Sequence, residues 1–401
     1  MYGVTILKKH HLSTAIFALL AIGLAAPATA QELTITNARI VVRDGTVIEK
    51  GSLVIRGGKI VAVAAGAPTE KAGKVIDAKG MTAMAGFIDG HRHIAAKDTN
   101  IEMQHLLEAG FTTVLSGGNV PEQLVALRDS IEKGQVNGPR IIPAGNVVLL
   151  GRMTEETGRA EIQKLAKMGV KFTGELILSP VPGPTPQELQ VLRAMLDEGR
   201  KLGVGVQVHA TSTSAMDAAV ANGVQLLVHI PNKNWISKEE AQAVATAKTK
   251  VLMAMAFGSP IFGVFAEDNK PRFRDGKPWP DQILDGVGGG KEAGYSMVNS
   301  RTLFDAGVTI GNGMDTTFDP QAGLAHELRS WNVVFSHLDA VRVMGPYTAD
   351  YLGMADQIGT LEAGKLADLV LLEGNPMDGY WNWLKPRMVI LGGKIVVGAK
   401  K

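Results

Sequence analysis

The sequence predicts an α/β protein: a (β/α)8 TIM barrel with a small β-sandwich formed from both chain termini. Three observations predict it. The middle of the chain alternates eight short apolar runs with amphipathic or alanine-rich segments, and eight βα units close into a barrel. Both ends carry a different texture, Val/Ile/Leu alternation broken by Gly-Gly and Asn/Asp, the pattern of antiparallel strands and tight turns. Histidines and carboxylates stand at the ends of the central runs, and a barrel gathers such side chains at the C-terminal face of its strands.

The chain begins with an export-like segment. "MYGVTILKKHH" supplies Lys8 and Lys9, "LSTAIFALLAIGLAAP" an apolar stretch too short and small-residue-rich for a good span, and "ATA" a small-x-small cleavage site. Residues 1–30 therefore read as a signal peptide cleaved after Ala30, with Gln31 as the mature start and a periplasmic or secreted product. An uncleaved anchor is the alternative. The formal charge of +2 comes from the two lysines of this segment, so the remainder is formally neutral. With 5% aromatics and no basic stripe, nothing resembles a nucleic-acid footprint. The composition, 45% hydrophobic and 20% charged, is that of a globular chain with ample core. There is no cysteine, so thiol nucleophiles and thiolate metal sites are excluded, and any metal must be held by imidazole and carboxylate.

Residues 31–85 and 358–401 form the expected sandwich. Its strands lie in "ELTITNARIVV", "VIEKGSLVIRGGKIVAVAAG", "KVIDAKGMTAM", "ADLVLLEGNP" and "RMVILGGKIVVG", and "IRGGKIVAV" is echoed by "ILGGKIVVG". Residues 86–357 form the expected barrel. Its strands are "GFIDGH", "TTVLSGG", "RIIPAGNVV", "FTGELIL", "GVGVQVH", "LLVHI", "KVLMAMAF" and "VTIGNGMD", with helices such as "PQELQVLRAMLDEGRKLG" and "SAMDAAVANG" between them. A doubly wound open sheet is the rival, but no Gly-rich phosphate fingerprint follows the first strand. Residues 258–300, rich in Gly, Pro and charge, read as a lid between the seventh and eighth strands.

His91 and His93 end the first strand, Glu175 lies in the fourth, His209 ends the fifth, His229 the sixth and Asp315 the eighth. Histidines two apart on a strand share a face and can share an ion. One such pair is as readily a solvated strand end. Four histidines on three strands with a terminal aspartate favour a divalent ion holding a water. His105, His326 and His337 read as helical or helix-proximal. Arg92, between the paired histidines, points to the other face and reads as structural. Asp89 keeps their alternation and reads as a support of the site or a barrel-layer residue.

"AGFIDGHRHI", "GFTTV", "VHATS", "LLVHIP", "GMDTT" and the tail "IGTLEAGKLADLVLLEGNP" resemble the amidohydrolase superfamily, in its imidazolonepropionase-like branch, over almost all of the mature chain. The resemblance implies a (β/α)8 barrel with a small β-sandwich and one or two divalent metals, zinc first, activating a hydrolytic water. It implies that His91, His93, His209 and His229 are metal ligands and that Asp315 binds metal and shuttles the proton. His229 or a lid residue would steady the oxyanion. Many relatives carry a carboxylated lysine on the fourth strand. Here that strand reads "KFTGELIL", so Glu175 is the expected bridging ligand and Lys171 the runner-up. Ala85 stands where proline often precedes Gly86, and "LSGGN" lacks the charged residue often found after the second strand.

The expected substrate is a small amide: a dipeptide, N-acyl amino acid or related molecule cleaved at a C–N bond. A deaminase or a lactone/ester hydrolase is the alternative on the same site, and a catalytically silent metal-binding protein the alternative of another class. Lys270, Arg272, Arg274, Lys277 and Arg301 could meet a substrate carboxylate, or could simply be a solvated charged loop. A serine hydrolase is disfavoured, since no G-x-S-x-G occurs. Homo-oligomerisation is left open.

Overall fold

A computed structural model describes residues 32–43, 45–94, 99–255, 290–315 and 319–398. The expected signal peptide and most of the expected lid, including Lys270, Arg272, Arg274 and Lys277, lie outside the described residues. Among the described residues no helix is long and apolar enough to cross a membrane.

The first five strands are β1 (Leu33–Val41), β2 (Val47–Arg56), β3 (Lys59–Ala65), β4 (Lys74–Asp77) and β5 (Thr82–Ala85). They share one hydrogen-bonded sheet with the last three, β15 (Leu369–Leu372), β16 (Pro386–Leu391) and β17 (Lys394–Val397). The chain ends meet where β15 runs antiparallel to β5, Leu369 opposite Ala85 and Leu372 opposite Thr82. The sequence echo becomes a structural one. β2–β3 and β16–β17 each turn through two residues, Gly57-Gly58 and Gly392-Gly393, all four with positive φ. Such two-residue hairpin turns demand glycine-compatible backbone. The two turns also touch: a Cβ on Gly393 would stand 3.0 Å from Gly58 Cα, and Ala367 and Gly393 close the contact through hydrogen bonds from Ala367 N to Gly58 O and from Gly393 N to Ala367 O. Leu33, Ile35, Ile40, Leu53, Ile55, Leu369 and Ile390 form this sheet's apolar core.

Between the two halves of that sheet the chain alternates parallel strand and helix. In order these are β6 (Phe87–Arg92), α1 (Thr99–Ala109), β7 (Phe111–Ser116), α2 (Pro121–Glu132), β8 (Arg140–Ile142), β9 (Val148–Leu149) and α3 (Glu155–Lys167). There follow β10 (Phe172–Ile177), α4 (Pro186–Leu202), β11 (Gly205–His209), α5 (Thr213–Ala221), β12 (Leu226–Val228), α6 (Lys238–Thr246) and β13 (Lys250–Met253). After the undescribed segment come α7 (Gly290–Asp305), β14 (Ile310–Asn312) and α8 (Pro320–Val334). All eight expected strand segments carry strand, the third of them split into β8 and β9. The nine strands form two parallel sheets, β6-β7-β8 and β9 through β14. One edge is bridged by Ala144 and Phe172 in parallel register. At the other, Met314 N and Asp315 N donate to His91 O at 3.1 and 2.8 Å. The fold is TIM-barrel-like α/β.

Local chemistry explains the helices. α4 starts on a Thr185/Glu188 capping box with Pro186 in its first turn, and ends on Gly203 at φ 68. The last part of the expected lid departs from expectation. Residues 290–300 are the first turns of α7, which packs on α6 and α8, so the helical repeat resumes earlier than the composition suggested. Arg301 lies on this helix, bonded to Asp305 and Asp339, and its charge is already compensated. His105, His326 and His337 all lie in helices, the last in α9 (His337–Arg342).

Candidate metal centre

The six strand-end residues converge. Glu175 is buried in β10, and its carboxylate is split between two groups. Oε1 lies 2.9 Å from His91 Nε2 and 3.0 Å from His93 Nε2, while Oε2 lies 2.5 Å from His209 Nδ1 and 3.3 Å from His229 Nε2. Asp315 Oδ1 joins the first group, 3.1 Å from His93 Nε2 and 3.4 Å from His91 Nε2. Its Oδ2 looks towards His229 Nε2 at 3.7 Å. Lys171 is not here: it is exposed and precedes β10, at the opposite end of the strand from the cluster. Strand polarity removes it as the bridging residue.

The backbone is bent to serve these side chains. His229 and Asp315 adopt φ of 71° and 47°, a region costly for side chains with a Cβ and found mostly at functional sites. Each is held there by its own N–H, His229 N to Leu252 O and Asp315 N to His91 O, both 2.8 Å. Glycines let the rings approach. A Cβ on Gly117 would stand 2.7 Å from His91 Cε1, and one on Gly313 the same distance from His91 Cβ. His93 Nδ1 donates to Gly118 O at 3.0 Å, which fixes the tautomer and leaves Nε2 for the cluster. Sequence reading had not singled out these glycines. The signals were the "SGG" at the end of the second strand and the "GNG" at the end of the eighth.

Asp89 lies fully buried beneath the cluster. Its Oδ1 accepts from His91 N and Met314 N, each at 3.1 Å, and so clamps the first-strand histidines to the segment carrying Asp315. Burial lifts its carboxyl to about 6 against the pull of Arg92. Arg92 is buried on the other face, its Nε donating to Glu102 at 2.8 Å. We expect Asp89→Ala to weaken metal retention about 10–100-fold, the usual cost of losing an outer support. Asp89→Asn, which keeps the accepting oxygen, should recover most of it. Equal metal content in all three proteins after dialysis would remove Asp89 from the site's support.

The electrostatics are those of two buried carboxylates seeking positive charge. Burial works against the imidazolium forms, yet Glu175 and Asp315 outweigh it and raise His91 to about 9 and His93 to about 10. Burial would raise both carboxyls, but the histidines around them hold Glu175 and Asp315 well below the carboxylate range. His209 is lowered, by burial and by the charge of His229. A cation is the other way to meet this demand. Ligating atoms within each of two sets, His91/His93/Glu175/Asp315 and Glu175/His209/His229, lie within 4.8 Å of one another. Two ligands of a tetrahedral zinc stand about 3.4 Å apart, from bond lengths near 2.1 Å. The donor set and its spacing fit a divalent ion.

A TIM-barrel-like fold with such a cluster at its strand ends defines a candidate metal-dependent enzyme. The chain belongs to the amidohydrolase family, whose family description matches residues 103–397. That span includes Glu175, His209, His229 and Asp315, and begins after the His91/His93 pair. The chain is 24% identical to an imidazolonepropionase of Thermoplasma acidophilum over 381 residues, covering 84% of this chain and 85% of that protein. In fold it is similar to a putative prolidase from Bifidobacterium longum, with TM-score 0.77, 24% identity and coverage of 93% and 97% of the two chains. It is also similar to a Xaa-Pro dipeptidase with bound methionine in its active site, with TM-score 0.75, 20% identity and coverage of 92% and 100%.

Proposed function

We propose that this protein is an exported hydrolase of small amides or peptide-like molecules, with two divalent ions, zinc first, at the strand ends. The observation that carries the reading is the division of Glu175, one carboxylate oxygen facing His91 and His93 and the other facing His209 and His229. A bridging carboxylate has that geometry. His91, His93 and Asp315 would complete one ligand set, and His209 and His229 the other. Bound there, a divalent ion lowers the pKa of water towards about 7 and polarises the scissile carbonyl. Asp315, beside both sets, takes the proton of the attacking water and returns it to the departing amine. The two parallel sheets are read as one closed barrel over residues 86–357, with residues 31–85 and 358–401 as a sandwich domain against it. Export rests on residues 1–30, and the mass of the mature protein, starting at Gln31, is its check. A dipeptide or N-acyl amino acid substrate is favoured by the fold similarity to a putative prolidase and a Xaa-Pro dipeptidase.

Chelation is expected to abolish hydrolysis of a dipeptide and N-acyl amino acid panel, and zinc or manganese to restore it. Ion uptake at pH 7 should also release protons, because His91 and His93, raised above that pH, must lose them to ligate. In the metal-free protein their imidazolium contribution to stability is fully present below about pH 6.5. It is lost as pH rises through about 9 to 10. Calorimetry in buffers of different ionisation enthalpy reads the release. Full turnover by verified metal-free protein would sink the reading.

A further inference from the structure

We infer that the rim of this site selects a neutral, apolar substituent on the substrate. The inference rests on the hydrolase reading above and deepens it. Loops following parallel strands surround the site, and four large apolar side chains on three of these stretches face solvent. Val147 and Leu149, after β8, are 43% and 40% exposed; Val181, after β10, is 73% exposed and Trp235, after β12, is 56% exposed. Scattered exposed apolar residues are ordinary. Residues gathered at one end of a barrel, around buried ionisable groups, mark a ligand-facing surface.

Continuity with the site supports a substrate as the occupant. Val147 lies against Gly118, where a Cβ would meet its Cγ2 at 2.7 Å, and the Gly118 carbonyl is the group that holds His93. One step of packing therefore joins the rim to the metal centre. The rim is also built rather than loose. Asn299 of α7, fully buried, donates to Pro231 O and Asn234 O and accepts from Ile236 N, fixing the loop that carries Trp235. Tyr295 meets the Trp235 ring edge to face at 4.3 Å. Ser214 donates to Pro180 O, tying the Val181 loop to its neighbour. Charge points the same way. The loops after β7, β10 and β11, "GGNV", "LSPVPGPT" and "ATS", contain no ionisable side chain, while the stretches after β9 and β12 carry exposed Arg152 and Lys233. Against the three uncharged loops a charged substituent would lose hydration without finding a partner, whereas an apolar one gains by leaving water.

The test is a series of N-acyl amino acids sharing one amino acid, with acetyl, hexanoyl, phenylacetyl and succinyl groups, on the zinc-loaded enzyme. Hexanoyl and phenylacetyl substrates should exceed acetyl by at least about 10-fold in kcat/KM, the scale of one added methylene in an apolar pocket. Succinyl should be poorest. Val147→Asp and Trp235→Ala should each cut the hexanoyl-to-acetyl ratio several-fold, with metal content and circular dichroism confirming a folded, loaded protein. Val181→Ala serves if either variant fails that check. Hexanamide, neutral and apolar, should also shift wild-type tryptophan emission to shorter wavelength more than it shifts that of Trp235→Phe. Turnover of the series without chain-length preference, or a preference untouched by the variants, overturns the apolar rim and leaves the hydrolase reading standing. No turnover of any member overturns both.

Discussion

Glu175→Gln is expected to lose most of its bound metal and nearly all turnover. The wild-type carboxylate is buried, and four imidazoles converge on its two oxygens at 2.5–3.3 Å. An amide keeps the shape but offers one oxygen and no charge, so it cannot serve both ligand sets. The four histidines would also face one another with only Asp315 to balance any positive charge among them. Loss of an outer support costs about 10–100-fold in metal affinity, and the central bridging group should cost at least about 100-fold. Metal content after dialysis, with kcat under saturating metal, reads the effect. Lys171→Ala is the control and should behave as wild type, since Lys171 is exposed at the other end of β10. Normal metal binding by Glu175→Gln would refute the bridging role.

Asp315→Asn should retain the fold and much of the metal, yet lose at least about 100-fold in kcat, within the 10²–10⁴-fold range of general acid–base catalysis. The choice of asparagine follows from the backbone. Asp315 sits at φ 47°, where asparagine is among the few tolerated side chains, so the exchange leaves the turn intact. An alanine there would confound strain with chemistry. The amide oxygen can still face His91 and His93, but it cannot take a proton from the nucleophilic water. The loss should fall on kcat rather than KM. An asparagine variant within a few-fold of wild type would assign the proton to another group, with His229 next.

Much of this architecture was legible because its signals are local. Apolar runs of strand length, most of them separated by helix-compatible segments, mark the parallel strands, though one run divides into β8 and β9. A capping box at Thr185 and Gly203 at the far end delimit α4. The Gly-Gly echo places two hairpin turns that the structure seats against each other. The ligand candidates were legible for a related reason. Parallel strands share one direction, so residues at their C-terminal ends gather at one end of the sheet. The lid's far boundary was misread because composition between 258 and 300 gives no sharp start to a helix, and α7 is held partly by packing on α6 and α8.

The sequence by itself determined that the chain alternates strand and helix between two β-rich ends, that any metal must be bound by nitrogen and oxygen, and which six residues are available to bind it. Only the tertiary structure decided how those six divide. That Glu175 turns one oxygen to His91 and His93 and the other to His209 and His229 depends on residues 34 to 84 positions apart meeting at fixed register. It depends also on His229 and Asp315 being held in left-handed backbone by hydrogen bonds their N–H groups donate to carbonyls of other strands. The support of His93 by Gly118 and the clamp of Asp89 on Met314 N have the same origin. Local patterning dictates which face a side chain takes along its own strand. Distances between side chains on different strands are set by how the strands pack, and no short stretch of sequence contains them.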